Sequence, residues 1–407
     1  MAKTFECARS LILEAVALLP VESAPILELV GRVLAEEVKA PCDIPRWDNS
    51  AMDGFAVRAA DCGSLKSLQI DGYVPAGGST CDIHVSPGKA VRIMTGAPTP
   101  KGCDTIVPME DTEEKDGHVV IKGWVELGDH IRVRGEDVQK GEVVIAAGCV
   151  LRPAEINMLA SFGLQNSSVF CRPRVAILST GDELVEPGEP LGPGQIFNSN
   201  AYSLAAAVSE IGGEPLLLGI ARDNRESLKE KLTSGLQADV LITTAGVSMG
   251  DRDLVCEMLQ ELGVERLFWK VDIKPGRPTA FGLKDGKPVF SLPGNPVSTM
   301  VTFEELVRPA LLKMMGHQRV IKPFVKATLN ETATKRLGRV QFLRVRVADN
   351  GESLVASSSG DQNTGILRTL LRANGIAVLP ADREQIEAGE EVDIHLIADI
   401  EGLDAAK

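Results

Sequence analysis

A multidomain α/β plus β architecture follows from three observations. At 407 residues the chain exceeds what a single hydrophobic core usually organises, so several domains are expected. After Pro173, strand-like and helix-like segments alternate at short intervals, the signature of a parallel sheet covered on both faces. On either side of that region lie short β-like pieces divided by glycine and proline, as in small all-β modules.

The chain opens with residues 5–19, which place Ala8, Leu11, Ile12, Ala15, Leu18 and Leu19 on one helical stripe. Such a stripe suits packing or self-association. From about Ile44 to Gly148 come "GFAV", "KAVRIM", "TIVPME", "HVVIK" and "EVVIAAG", a small β-rich domain expected over 46–139. "RPAEINMLASFGL" (152–164) is again helical, with Pro153 suited to the first turn and Gly163 to the end. Its likeness to the first helix suggests one discontinuous domain, 1–45 with 140–170, around the β segment. Residues 171–318 then read strand "RVAILST", helix "NAYSLAAAVSEIG", strand "EPLLLGIA", helix "NRESLKEKLTSGL", strand "DVLITTAG", helix "DLVCEMLQELG". After the helix "VSTMVTFEELVRPALLKMMG", residues 319–407 return to short strands and turns, a fourth module expected to be all β.

With 44% apolar and 24% charged residues, this is the composition of a folded globular protein. A net charge of −13 opposes binding to nucleic acid or to anionic membranes, and 4% aromatic content offers few base-stacking platforms. The N-terminus lacks a secretory pattern, and no stretch approaches the roughly 18 to 20 apolar residues that span a bilayer. The eight cysteines are scattered with no CxxC pair, so reduced thiols and a cytoplasmic location are expected.

In open parallel sheets ligands bind beyond the carboxyl ends of the strands. Three such ends carry acids here: Asp182 and Glu183 after the first strand, Asp223 after the second, Asp251 and Asp253 after the third. A helix-capping role would explain any one of them; the recurrence at three strand ends favours a shared site. In "DVLITTAGVSMGDRD" the glycine turn around Gly246, Ser248 and Gly250 exposes backbone N–H groups that suit phosphate. Carboxylates beside a phosphate repel it unless a hard cation such as Mg²⁺ intervenes. "FWKVDIKPGRP" supplies positive charge: read as a strand, Lys270, Asp272 and Lys274 share one face, with Arg277 after the turn. "SLPGNPVSTMVTFEEL" is a tight strand-to-helix turn in which Asn295 or Ser298 would cap the helix. "PRWDNSAMDGFAV" gathers Asp48, Asn49, Ser50 and Asp53, and later strings add Thr95, Asp104, Glu110, Arg134 and Asp137. No Ser-His-Asp order, HExxH or Cys/His zinc spacing occurs.

Taken in order, "DNSAMDGFAV", "RIMTGAP", "GCDTIVPMED", "RGEDV", "LSTGDEL", "FNSN", "TTAGVSMGDRD", "FWKVDIKPGRP" and "SLPGNPVS" resemble the molybdopterin molybdenumtransferase family and the C-terminal E domain of gephyrin. The match spans nearly the whole chain and is least sharp in the last module. The resemblance implies a homodimer whose subunits hold a molybdopterin-binding α/β domain, a β domain, a discontinuous linking domain and a C-terminal β-barrel. It implies that adenylyl-molybdopterin and molybdate yield molybdenum cofactor and AMP with Mg²⁺ assistance, after an upstream molybdopterin adenylyltransferase has acted.

Carried over position by position, it implies catalytic roles for Asp53, Thr95, Asp137, Lys270 and Lys274. Substrate contacts fall to Gly181, Gly246, Ser248, Gly250, Arg277, Pro293, Pro296 and Arg344, and Mg²⁺ to Glu183, Asp223 and Asp253. Asp53, Thr95 and Asp137 would come from the partner subunit. Four positions depart from the family pattern: Asn224, Arg277, Phe55 and the loop around Thr364. A non-catalytic scaffold and a molybdopterin adenylyltransferase are the rival readings.

Overall fold

The computed structural model describes residues 2–63, 66–245 and 254–402. Two compact units make up the chain, Met1–Ala35 with Gly148–Arg152 and Asn166–Lys407, and Glu36–Ala147 with Pro153–Gln165. The expected domain 1–45 with 140–170 has residues in both units, 36–45, 140–147 and 153–165 falling in the second and the remainder in the first.

The first unit is built on a six-stranded sheet with the order Glu214–Ala221, Arg174–Thr180, Val240–Thr244, Lys287–Leu292, Ala280–Lys284, Glu265–Phe268. Neighbours among the first four run parallel, as the strand-helix alternation predicts. The last two are antiparallel, so the sheet is mixed. The hairpin that joins Ala280–Lys284 to Lys287–Leu292 turns at Asp285 and Gly286, both with positive φ (52° and 79°), which is the Asp-Gly signature of a tight two-residue turn. The central strands are almost wholly buried because helices cover both faces. Ser199–Glu210 and Pro296–Thr302 pack into one core with the N-terminal helix Phe5–Ala15. Arg225–Gly235 and Leu254–Glu261 fill the other face.

The N-terminal helix starts where Thr4 accepts a hydrogen bond from the Cys7 N–H at 3.2 Å. It buries Phe5, Ala8 and Ile12, and the Phe5 ring meets Phe342 edge-on at 5.1 Å. Burying a side chain of that size is worth about 1.5 to 3 kcal/mol. The helix expected over 297–316 is interrupted: Pro296–Thr302 and Arg308–Met314 flank a π-helical Phe303–Val307. Pro309 has no N–H for the Glu305 carbonyl, which is where an α-helical ladder would need one. Inside this segment buried Glu305 meets His395 Nδ1 at 2.7 Å, and Phe324 stacks on that imidazole at 4.2 Å.

The C-terminal region closes into a five-stranded barrel of Phe324–Leu329, Val340–Asp349, Leu354–Ser358, Gly375–Leu379 and Glu391–Leu396. One further short strand, Ile273–Lys274, pairs in parallel with Val340 and Gln341. "FWKVDIKPGRP" is therefore not one continuous strand: the sheet strand ends at Phe268, and the chain joins the barrel at Ile273. The expected alternation persists in burial, with Val271 and Ile273 inside and Lys274 exposed.

The second unit holds another six-stranded sheet, ordered Thr105–Pro108, Gly54–Val57, Lys89–Ile93, Ser67–Val74, His118–Ile121, Thr112–Lys115. Its Ser67–Val74 strand is absent from the sequence expectation. The Asp71-Gly72 pair reads as a turn, yet here Gly72 (φ 121°) sits at a register irregularity within the strand. Pro153 begins the helix Pro153–Ser161, and Gly163 follows its end with φ 77°, as expected. All eight cysteines are free thiols. Among the described residues no helix is long and apolar enough to cross a membrane.

Candidate active site

From Arg174–Thr180 the chain moves to one neighbouring strand, Glu214–Ala221, and then returns to the other, Val240–Thr244. Such a reversal leaves a crevice at the carboxyl ends of the two diverging strands. A cleft of about 420 Å³ lies there, lined by Glu183, Leu184, Ile196–Asn200, Thr244, Ala245, Pro278 and Pro293–Pro296. Its floor is a buried polar network. Thr244 Oγ1 donates to Ser179 Oγ (3.1 Å), which donates to Asn198 Oδ1 (2.7 Å). Asn198 also caps the helix Ser199–Glu210 and donates its amide to Glu186. Asn200 donates Nδ2 to the Gly294 carbonyl at 2.7 Å, while its Oδ1 is buried without a partner. A buried acceptor left open in a cleft wall suits a ligand N–H or O–H. The sequence reading gave these asparagines no role, although "FNSN" marked them.

The acids at the ends of the first two strands are drawn together. Gly181 adopts a φ of 144° that side chains disfavour, and a Cβ there would lie 2.4 Å from Glu183 Oε2 and push that carboxylate aside. Arg222 donates to the carbonyls of Gly181 (3.4 Å), Asp182 (3.1 Å) and Leu184 (3.1 Å), bracing the loop that carries Glu183. Asp182 accepts the Asp223 N–H at 3.2 Å. Partial burial, with Asp182 and Glu183 nearby, raises the Asp223 carboxyl above its ordinary 3.8. None of these acids caps a helix; Asn224 does so for the next one, accepting from Ser227 N at 2.9 Å. An aspartate would cap equally well, so nothing in the structure explains the asparagine departure.

Gly246, Ser248, Gly250 and Asp253 lie outside the described residues, and the preceding Ala245 already turns with φ 70°. Among the described residues no three acidic, histidine or cysteine side chains converge as a ready metal site. The donor chemistry nevertheless fits a hard divalent ion: oxygen ligands whose mutual repulsion is felt at Asp223.

Lys274 is exposed on the short strand beside the barrel, and Lys270 lies against the Trp269 ring at 4.7 Å. Arg277 faces Asp272 across 3.6 Å, and the next residue, Pro278, forms part of the cleft wall. Pro293 and Pro296 line the cleft as expected. Asn295 stands at the helix start without a capping bond from its side chain; its Nδ2 instead donates to Thr364 Oγ1 at 3.2 Å. The barrel loop thereby reaches the cleft rim.

Arg344 is almost fully buried, and its guanidinium donates to Thr369 Oγ1 (2.8 Å) and to the carbonyls of Asp361 and Asn363. It anchors the loop that bears Thr364.

The second unit carries Asp53, Thr95 and Asp137. Asp53 Oδ1 accepts both the Thr95 N–H (2.7 Å) and the Thr95 hydroxyl (2.8 Å), which hold its carboxyl below the usual range. Gly54 beside it allows close strand pairing, since a Cβ would fall 2.0 Å from the Val107 carbonyl oxygen. Asp137 is exposed. Asp48, Asp104 and Arg134 build turns: Asp48 accepts from Arg134 N, Asp104 from Ala59 N, and Arg134 pairs with Asp43.

Comparison with known proteins matches three family models in order: the MoeA N-terminal region (domain I and II) over residues 3–163, a probable molybdopterin binding domain over 176–313, and the MoeA C-terminal region (domain IV) over 326–397. Similar relatives include a molybdopterin molybdenumtransferase of Haemophilus influenzae, 36% identical over 96% of this chain and 98% of its own. One of Nostoc sp. is 37% identical over 89% and 85%. A crystal structure of a molybdopterin biosynthesis MoeA protein from Pyrococcus horikoshii superposes with a TM-score of 0.80 at 34% identity, covering 97% of this chain and 100% of the other.

Proposed function

The chain belongs to the molybdopterin molybdenumtransferase family and is a transferase of molybdenum cofactor biosynthesis, and from that premise we propose that it inserts molybdate into adenylyl-molybdopterin with release of AMP. The observation that carries the proposal is the cleft at the strand reversal, where the braced Glu183 loop opposes Pro293–Pro296 over a polar floor.

In this reading the turn at Gly181, together with the segment that contains Gly246, Ser248 and Gly250, seats the phosphate link of the substrate. Lys270, Lys274 and Arg277 bind oxyanion charge; Arg277 offers a planar fork where a lysine would offer a point charge. Asn200 Oδ1 accepts from the pterin. Asp53, ionised and fixed by Thr95, orders water and oxyanion together with Asp137. Arg344 acts by holding the Thr364 loop.

Glu183 and Asp223, with Asp253, would hold Mg²⁺. A bound divalent ion would supply Lewis-acid polarisation of phosphate oxygens and offset charge on the leaving group. The dithiolene sulfurs come with the substrate, so none of the eight cysteines has to ligate molybdenum. We also propose a homodimer, a cytoplasmic location and delivery of substrate by an upstream adenylyltransferase.

Purified protein given adenylyl-molybdopterin, Mg²⁺ and molybdate should release AMP and activate an apo-molybdoenzyme. Product formation from molybdopterin and ATP without the adenylylated substrate would favour the adenylyltransferase reading instead. Turnover undiminished in Glu183→Ala would remove the metal assignment.

A further inference from the structure

A second cavity, of about 530 Å³, lies in the first unit and shares no lining residue with the cleft. Its walls come from four separated stretches: Val30–Val33, Phe170 with Arg172, Ser209–Gly212, and residues between Glu304 and Lys322. Four cations line it, Arg32, Arg172, Arg308 and Lys322, together with His317, against the carboxylates of Glu210 and Glu304. That is an unexpected gathering in a chain of net charge −13.

Internal pairing leaves positive charge over. Glu304 alone answers two cations, with Lys322 Nζ at 2.9 Å and Arg308 Nε at 3.9 Å. Among the described residues Arg172 has only the Glu28 carbonyl at 3.5 Å, the outer limit of a hydrogen bond. Arg32, with its side chain 7% exposed, uses one terminal nitrogen for Glu22 and the Phe170 carbonyl, while its Nε is buried without a partner. Guanidinium groups kept close together away from full solvation are costly unless something compensates them. Partial burial, and after it the nearby cation of Arg308, also hold the His317 imidazole below its ordinary 6.5.

We propose that this cavity is a second binding site, for a small phosphate-bearing anion gripped by Arg172 and Arg308. Planar guanidinium forks match phosphate oxygens, and the volume falls within the roughly 300 to 1,000 Å³ of small-molecule sites. Val30, Val33, Phe170, Leu312 and Met315 give the rest of the wall an apolar character that suits an organic portion. The proposal is independent of the chemistry assigned to the cleft.

Inorganic pyrophosphate serves as the probe, titrated calorimetrically into the full chain without divalent metal and at constant ionic strength. Saturable binding should weaken at least tenfold in Arg172→Ala and in Arg308→Ala, and stay unchanged in Lys229→Ala, an exposed helix lysine that lines neither cavity. Anion binding favours the imidazolium, so lowering the pH through the His317 titration should favour binding more in the wild-type chain than in His317→Asn, pyrophosphate's own protonation being common to both. Should Arg308→Ala fold poorly, Arg172→Ala and the charge-keeping Arg308→Lys decide, each checked by its melting curve. Absence of saturable binding to the wild-type chain overturns the site. So does unchanged affinity in the arginine variants, or loss of all binding in Lys274→Ala, which would place the anion in the cleft.

Discussion

Replacing Arg222 by alanine tests whether the carboxylate loop has to be held. Its guanidinium reaches three carbonyls of one loop, at 3.1 to 3.4 Å, from the end of the adjacent strand. Hydrogen bonds from charged donors contribute about 1.5 to 3 kcal/mol each when well formed and shielded. Here a single nitrogen, NH1, serves all three acceptors, and the residue is exposed, so the contributions do not add. A total of about 1 to 2 kcal/mol is reasonable, which shifts the loop between held and open states by roughly 5- to 30-fold. The expected outcome is a fall of that order in kcat/KM for AMP release, with little change in the melting temperature. Arg222→Lys should fall between, because an ammonium also donates from one nitrogen but reaches less far from the main chain. Full kcat/KM in the alanine variant would refute the argument; a matching collapse of global stability would show that Arg222 serves the fold instead.

Gly181→Ala should cut turnover more sharply than Arg222→Ala, since the new methyl collides with the Glu183 carboxylate at a φ that disfavours side chains; wild-type kinetics would contradict this. The raised Asp223 carboxyl binds protons more readily folded than unfolded, so it lowers stability as pH rises from 3.8 through the folded value. Across that window Mg²⁺ affinity, read by titration calorimetry, should increase with pH, and Asp223→Asn should abolish the trend. Thiol titration with a chromogenic disulfide should find Cys7 and Cys81 fast, because both are exposed. Cys62 and Cys103, each pushed up to about 11 chiefly by burial, should react slowly at neutral pH, and equal rates would speak against their burial.

Strands and helices of the α/β region were legible because buried parallel strands are continuous apolar runs and their helices carry the 3.6 period. The acids at strand ends were legible for a related reason, since topology alone puts such positions beside one another. Four features were not. The hairpin Ala280–Leu292 hides its direction until pairing is known, although Asp285-Gly286 marks the turn. The Arg344 guanidinium reads as a surface charge until the loop folded around it is seen. Arg222 belongs to no pattern, because three backbone oxygens leave no trace in residue identity. The split of "FWKVDIKPGRP" between sheet and barrel depends on Val340 and Gln341, more than sixty positions onward, which periodicity cannot reach.

The short pairing of Ile273 and Lys274 with Val340 and Gln341 makes the C-terminal module a scaffold for the lysine segment. A fragment cut ahead of Phe324 would keep every strand of the α/β sheet, yet the main chain around Lys274 would lose its neighbour and Asn295 its bond to Thr364. Exchanging the barrel for that of a relative should therefore alter how the chain handles oxyanions, even though the barrel supplies no carboxylate to the cleft wall.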